Sequence, residues 1–203
     1  MSVVRDLIKA WEGLEDGDPT TVNLDPYICP AGYATIGWGT LVKTKDGTPI
    51  TNLAQAKRRF PDGISRGEAE TFLANDIEAM TAALLRDGGP FLARWRTLSD
   101  NQKAAIISMV YNIGVGGFAG STLKRMIGNG AMPGPLAGLD IEKEFQASKV
   151  GGQPIATLAA GFLAWNKVRK KWTRGLARRR AAEALVFYGE TVPNALARAN
   201  RLV

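Results

Sequence analysis

The chain is 203 residues long, 45% hydrophobic and 22% charged, an ordinary globular composition that can bury roughly 70% of its unfolded surface without disulfide or metal staples. It holds one cysteine, Cys29, and no histidine, which excludes an internal disulfide, histidine-dependent triads, Cys–His hydrolysis and histidine-ligated metal centres. Its net charge of +7 calls for an anionic partner, with nucleic acid, an anionic membrane surface and a polyanionic cell wall all open at this point. Any catalysis must rest on carboxylates, hydroxyls, Lys, Tyr or the lone thiol.

Residues 2–12 place Val4, Leu7, Ile8 and Trp11 at helical spacing, and Gly13 stops the pattern. Arg5, Asp6 and Lys9 interrupt its apolar residues, so neither a signal-peptide core nor a membrane span is expected, and the protein is expected to stay in the cytoplasm where it is made. Glu12 falls in the last turn of this helix, where the macrodipole is negative and a carboxylate is electrostatically misplaced. A functional acid would tolerate that placement; a frayed, solvated helix end is the plainer reading.

The Gly/Pro/Asp/Thr-rich stretch 14–23 reads as a loop. DPYIC, a turn at PAG, YATIGWGT and a third segment in LVKTK or TPIT around Asp46–Gly47 then predict a small antiparallel sheet over about residues 24–51. From Ser65 the pattern is helical. Ser65 with Glu68, and Ser99 with Gln102, have capping-box spacing. The first box opens a long helix over about 65–86, and the second opens a helix whose interior, AAIISMVYNI, is apolar on almost every side and belongs in a core. Further helices are expected at 121–127, 139–148, 155–166 and, as the last, 175–189. Sheet first and helices after predict an α+β fold.

The combination of EGL at 12–14, YICPAGYATIGWGT at 27–40 and the closing GL-x-RRR-AE pattern resembles the phage-type lysozymes, glycoside hydrolases that include many bacteriophage endolysins. ISRGEAETFLANDIEAM resembles that family's interlobe helix and NQKAAIISMVYNIGVGGFAGSTL its central helix and following turn, so the likeness spans nearly the whole chain. It implies one lysozyme-like domain: a small sheet lobe over about 13–64, an interlobe helix over about 65–86, and a larger helical lobe over about 87–203 with helix 2–12 packed on it. In the family a glutamate closing the first helix precedes an Asp or Cys in the hairpin, followed six positions later by Thr; Glu12, Cys29 and Thr35 fill those places and keep the six-position step. Sixteen residues separate Glu12 from Cys29, about twice the family's spacing, and a loop insertion of that kind costs little in closure entropy.

The resemblance implies a muramidase endolysin cutting the β-1,4 bond between N-acetylmuramic acid and N-acetylglucosamine, with Glu12 as general acid and a water positioned by Thr35 and Cys29. It implies inversion, because the hairpin position offers no second carboxylate as nucleophile. Tyr33, Trp38, Asn112, Phe118 and Arg178 are the implied substrate-binding residues. Plainer readings stand beside these: Cys29 as a small packing residue, Thr35 as an ordinary strand threonine, the aromatics as core. Asp16, Asp18 and Asp25 are open as substitutes for Cys29. No cofactor or metal is implied. The expected partner is the glycan strand of peptidoglycan, met by a monomer, with no nucleic acid. The basic segment 167–180 holds eight Lys or Arg and no acid, and reads either as a solvated helix face or as an attachment to an anionic wall or membrane surface. The family role implies accumulation in the host cytoplasm and action on the wall after a holin opens the membrane. The alternative is a non-catalytic cationic wall- or membrane-binding protein on the same fold.

Overall fold

The computed structural model describes residues 2–86, 88–150 and 152–203. The chain divides into two compact units, Lys9–Ala79 and Met1–Ile8 with Met80–Val203, so the division falls within α1 (Ser2–Glu12) and within α3 (Arg66–Leu85).

In the first of these units the chain leaves α1 without regular structure until β1 (Tyr27–Ile28). This strand pairs antiparallel with β2 (Ala34–Ile36), Tyr27 opposite Thr35, and β2 pairs with β3 (Thr40–Leu41). The hairpin between β1 and β2 closes at the predicted PAG turn. The Cys29 amide donates to the Tyr33 carbonyl at 2.9 Å and the Gly32 amide to the Cys29 carbonyl at 2.8 Å. The Asp46–Gly47 turn also forms, with Lys43 bridged to Pro49 and the Asp46 carboxylate accepting from the Thr44 and Thr48 hydroxyls. The predicted sheet therefore exists, with strands of only two or three residues.

Two helices complete this unit. The sequence pattern missed α2 (Leu53–Arg59), whose only buried residue is Ala56 and whose start is fixed by Asn52 accepting from the Gln55 amide at 2.9 Å. The start of α3 is the predicted capping box: Ser65 Oγ accepts from the Glu68 amide, and Glu68 Oε2 accepts from the Ser65 amide. Its buried residues Ala69, Leu73 and Ile77 join Ala34, Ile36, Val42, Ile50 and Ile64 in one core, each large aliphatic side chain contributing about 1.5–3 kcal/mol by leaving water. Gly37 permits the close approach: at φ +63° it occupies left-handed space, and a Cβ there would stand 3.0 Å from that of Ala69.

The second unit is helical: α4 (Gly89–Trp95), α5 (Asp100–Ala119), α6 (Thr122–Gly128), a 3-10 turn at Leu136–Gly138, α7 (Ile141–Val150), α8 (Leu158–Leu163), α9 (Arg174–Phe187) and α10 (Val192–Arg201). The Ser99–Gln102 box starts α5 as predicted, and Ala104 through Val110 are buried on all sides. Gly114, at φ 77° and ψ 158°, kinks the helix, and the glycine-rich stretch after it takes a further helical turn to Ala119. Around α5 and α9 lie the aromatic pairs Phe91–Phe118 and Phe162–Phe187, with centroids 5.6 and 5.5 Å apart.

Three expectations need correction here. The helix expected over 155–166 is only Leu158–Leu163, its start fixed by Thr157, whose hydroxyl accepts from the Ala160 amide at 3.0 Å. The chain does not end its helices at 189, since α10 follows with a proline in its first turn and Ala195 and Ala199 buried one turn apart. The basic segment is not one helix face: residues 167–172 form a hairpin of β4 (Lys167–Val168) and β5 (Lys171–Trp172), and α9 begins only at Arg174.

Candidate functional site

Glu12 is the last residue of α1, as expected, and is half-buried. Opposite it runs Gly37–Trp38–Gly39; a Cβ on Gly39 would lie 3.9 Å from Glu12 Oε2, so this glycine keeps the space before the carboxylate open. Lys9, one turn earlier on α1, sits with its ammonium 4.4 Å from the Trp38 ring centroid and pairs with Glu70 of α3. Those contacts and an exposure of 3% make Trp38 a packing residue that fixes the approach of α1 to the sheet. Its expected role in substrate binding is therefore corrected.

The hairpin brings Cys29 and Thr35 into the same unit. Thr35 is 3% exposed. Its neighbour across the strand pair is Tyr27. Burial pushes the Tyr27 phenol above its ordinary range; a hydrogen bond from the side of Thr35 opposes this, and the nearby Glu15, Cys29 and Glu12 push it further up. Tyr27 is thus a common neighbour of Glu12, Cys29 and Thr35. Reading the sequence missed it, because a tyrosine that starts a strand has no distinguishing mark before the strand finds its partner. Tyr33, at the hairpin tip, is 41% exposed and available to a ligand.

The loop between Glu12 and Cys29 carries four of the unit's carboxylates, and most are occupied in holding the loop itself. Asp16 Oδ1 accepts from the amides of Asp18 and Asp25 at 3.0 and 2.9 Å. Asp18 accepts from the Thr20 hydroxyl at 2.6 Å, the main cause holding its carboxyl below the usual range. Buried Asp25 accepts from the Thr21 hydroxyl at 2.7 Å. The loop passes so close to Pro26 that a Cβ on Gly17 would fall 2.1 Å from the Pro26 carbonyl oxygen. Glu15 differs: its backbone bridges Gly37, and its carboxylate is the one loop acid acting on Tyr27.

The other expected site residues lie in the helical unit. Phe118 is fully buried, edge-on to Phe91, which corrects its assignment to substrate binding. The guanidinium of Arg178 donates through Nε and Nη2 to the Leu202 carbonyl at 3.0 and 2.8 Å; it ties α9 to the end of α10, which corrects its assignment as a substrate contact. Asn112 is exposed, and its Oδ1 accepts from Arg180 Nη2 at 3.0 Å, leaving the amide nitrogen as the donor it can offer. Behind it is a buried ionic cluster: Glu183 contacts Arg179 and Arg180 at 3.3 and 3.1 Å and accepts from the Ser108 hydroxyl at 2.8 Å. This cluster is the structural content of the RRR-AE pattern. Among the described residues no group of three His, Cys, Asp or Glu could hold a metal ion.

The arrangement around Tyr27 offers an acid, a thiol and a buried hydroxyl within one small sheet unit. Residues 10–143 match the family described as phage lysozyme. An endolysin of Acyrthosiphon pisum secondary endosymbiont phage 1 is 29% identical over 185 residues, covering 89% of this chain and 92% of that protein. An endolysin from Escherichia coli phage FAHEc1 superposes with a TM-score of 0.55 at 25% identity, over 93% of this chain and 92% of that structure. The muramidase domain of SpmX from Asticaccaulis excentricus shares the fold, with a TM-score of 0.53 and 20% identity over 93% and 96% of the two chains. The fold is accordingly α+β and lysozyme-like, and with two thirds of its length matched the chain belongs to the phage lysozyme family, as a lysozyme-type cell-wall hydrolase.

Proposed function

We propose that the protein is an N-acetylmuramidase endolysin that hydrolyses the β-1,4 bond between N-acetylmuramic acid and N-acetylglucosamine in peptidoglycan. The observation that carries this reading is the phage lysozyme match over residues 10–143, supported by Thr35 lying opposite Tyr27 in the hairpin that carries Cys29 and by the Glu12 carboxylate facing Gly39. In the proposed reaction Glu12 donates its proton to the glycosidic oxygen as the bond to the anomeric carbon breaks. A water then bonds to that carbon from the opposite face, held by the Thr35 hydroxyl and the Cys29 thiol. Its spare proton returns to Glu12 through solvent, and the anomeric configuration inverts. A buried hydroxyl across the strand pair from Tyr27 is suited to this task, since it can both donate to and accept from a water. Tyr33 and Asn112 are the proposed glycan contacts, and the protein works as a monomer without cofactor. It accumulates in the host cytoplasm and reaches the wall after a holin opens the membrane, so that cutting lyses the host.

The test is release of reducing ends from purified peptidoglycan by wild type and by Glu12→Gln, with equal folding checked by circular dichroism. Loss of a general acid predicts a fall of about 100-fold or more. Equal cutting by both proteins would show that Glu12 is not the acid and redirect attention to Glu15. A second reading, a non-catalytic cationic binder, is favoured only by the exposed basic hairpin at 167–172; lysis that survives Glu12→Gln without release of reducing ends would select it.

A further inference from the structure

The eight basic residues of 167–180 separate into two groups. Arg178 is committed to the Leu202 carbonyl, and Arg179 and Arg180 are buried against Glu183. Lys167, Arg169, Lys170, Lys171 and Arg174 are all exposed, and none makes an ion pair or side-chain hydrogen bond among the described residues. Four of these five occupy the β4–β5 hairpin, where Lys167 faces Trp172 and Val168 faces Lys171. Arg169 and Lys170, the two turn residues, have φ values of 47° and 67°, the positive-φ positions of the described residues that are not glycine.

Two positive φ values in a two-residue connection define a type I′ turn, whose preferred residues are Asn and Gly because a Cβ is strained there. Here both positions carry long cationic side chains at a conformational cost. Strain of this kind points to function when the strained residues contribute something that the relaxed ones would not. What Arg169 and Lys170 contribute is two positive charges at the extreme tip of a rigid ribbon. The base of that ribbon is anchored, with Trp172 packed edge-on to Phe145 at 5.8 Å. Between the charges sits Val168, an apolar side chain 52% exposed. A polyanion in solution gives such a valine nothing to bury against. A bilayer does, because its anionic headgroups meet the cations while the valine enters the boundary with the acyl chains.

We propose that the β4–β5 hairpin is a docking surface for an anionic phospholipid bilayer, with Arg169, Lys170 and Lys171 on the headgroup phosphates and Val168, on the same face as Lys171, inserted. This surface is independent of glycan cleavage and would hold the protein at a membrane whether or not it cuts the wall.

The experiment is sedimentation of the full-length protein with vesicles of phosphatidylglycerol and phosphatidylcholine, compared with pure phosphatidylcholine, at low and physiological salt. Wild type should bind the anionic vesicles, lose binding as salt rises, and ignore the neutral ones. Replacing Arg169→Asn together with Lys170→Gly should weaken binding roughly 30-fold while leaving the melting temperature unchanged or raised, because the turn is relieved of strain. A merely structural hairpin could not give opposite responses in binding and stability. Val168→Ser should weaken binding several-fold with no change in fold. Wild type that fails to bind, equal binding to neutral vesicles, or undiminished binding by the turn variant would each overturn the proposal. Undiminished binding by Val168→Ser, with binding to isolated cell wall lost in the turn variant, would replace the bilayer by a wall polyanion.

Discussion

Arg179, Arg180 and Glu183 lie buried on α9 with opposite charges in contact and Ser108 and Asn112 completing the set, whereas Glu12, Glu15, Cys29 and Thr35 gather around Tyr27 with the Thr35 hydroxyl buried. Both regions are polar, and they differ in that the first brings opposite charges into contact. Buried charges are stable when paired, and removing one partner strands the others in a medium that solvates them poorly. A half-buried group with spare hydrogen-bonding capacity forgoes that stability and keeps a place for a water or a substrate. The helical unit uses its polar core to hold its helices in register; the polar groups of the sheet unit are the ones proposed to act on substrate.

The largest expected effect tests the charge-paired region. Glu183→Gln removes the counter-charge that contacts two buried guanidinium groups, and the loss should be about 3–5 kcal/mol of unfolding free energy, read from the urea midpoint at constant slope. A loss under about 1 kcal/mol would mean that the guanidiniums reach solvent and that the contrast between the regions is false. The companion test on the sheet unit is Thr35→Val, which keeps shape and removes the buried hydroxyl. Stability should hold or rise slightly, while peptidoglycan cleavage falls about tenfold, the scale of one lost hydrogen bond to the attacking water. If stability drops and cleavage does not, the hydroxyl is structural.

How much of this was legible beforehand follows the same division. Local rules wrote the capping boxes at Ser65 and Ser99, and both form with the residues expected. The end of α1 at Glu12 and the hairpin turn before Tyr33 are local as well, so the acid and the thiol could be placed from the sequence. Tyr27 could not, since its significance arises from pairing with Thr35 and from a loop that brings Glu15 back to Gly37. Nor could the sequence tell which loop carboxylate is free, because Asp16, Asp18 and Asp25 acquire their partners only when the loop closes. The β4–β5 hairpin was hidden for a different reason. Its turn lacks the Asn-Gly or Asp-Gly pair that announces a type I′ connection, and a run of Lys and Arg fits a helix surface equally well. The aromatic residues Trp38 and Phe118 went astray because residue type alone cannot separate a core ring from a binding ring.

The smallest effect concerns Asp76 of α3, which stands between the two extremes. Its Oδ2 accepts from the Thr40 hydroxyl at 2.6 Å, so it is neither ion-paired like Glu183 nor a neutral hydroxyl like Thr35. Burial is the main influence and raises its carboxyl above the ordinary 3.8, opposed by the Thr40 hydrogen bond and by Lys43. For an acid, a raised value means that the folded state holds its proton more tightly than the unfolded chain does. Stability is therefore free of this penalty below pH 3.8, declines as pH rises from there to the raised folded value, and stays lowered above it. Asp76→Asn keeps an acceptor for Thr40 and removes the charge, so the variant should match wild type in acid and become the more stable of the two toward neutral pH. Melting temperatures of both proteins across that range provide the check. A variant less stable than wild type at neutral pH would show that the ionised Asp76 is held by Lys43 and Thr40 more strongly than burial opposes it, and would move this carboxylate into the paired class with Glu183.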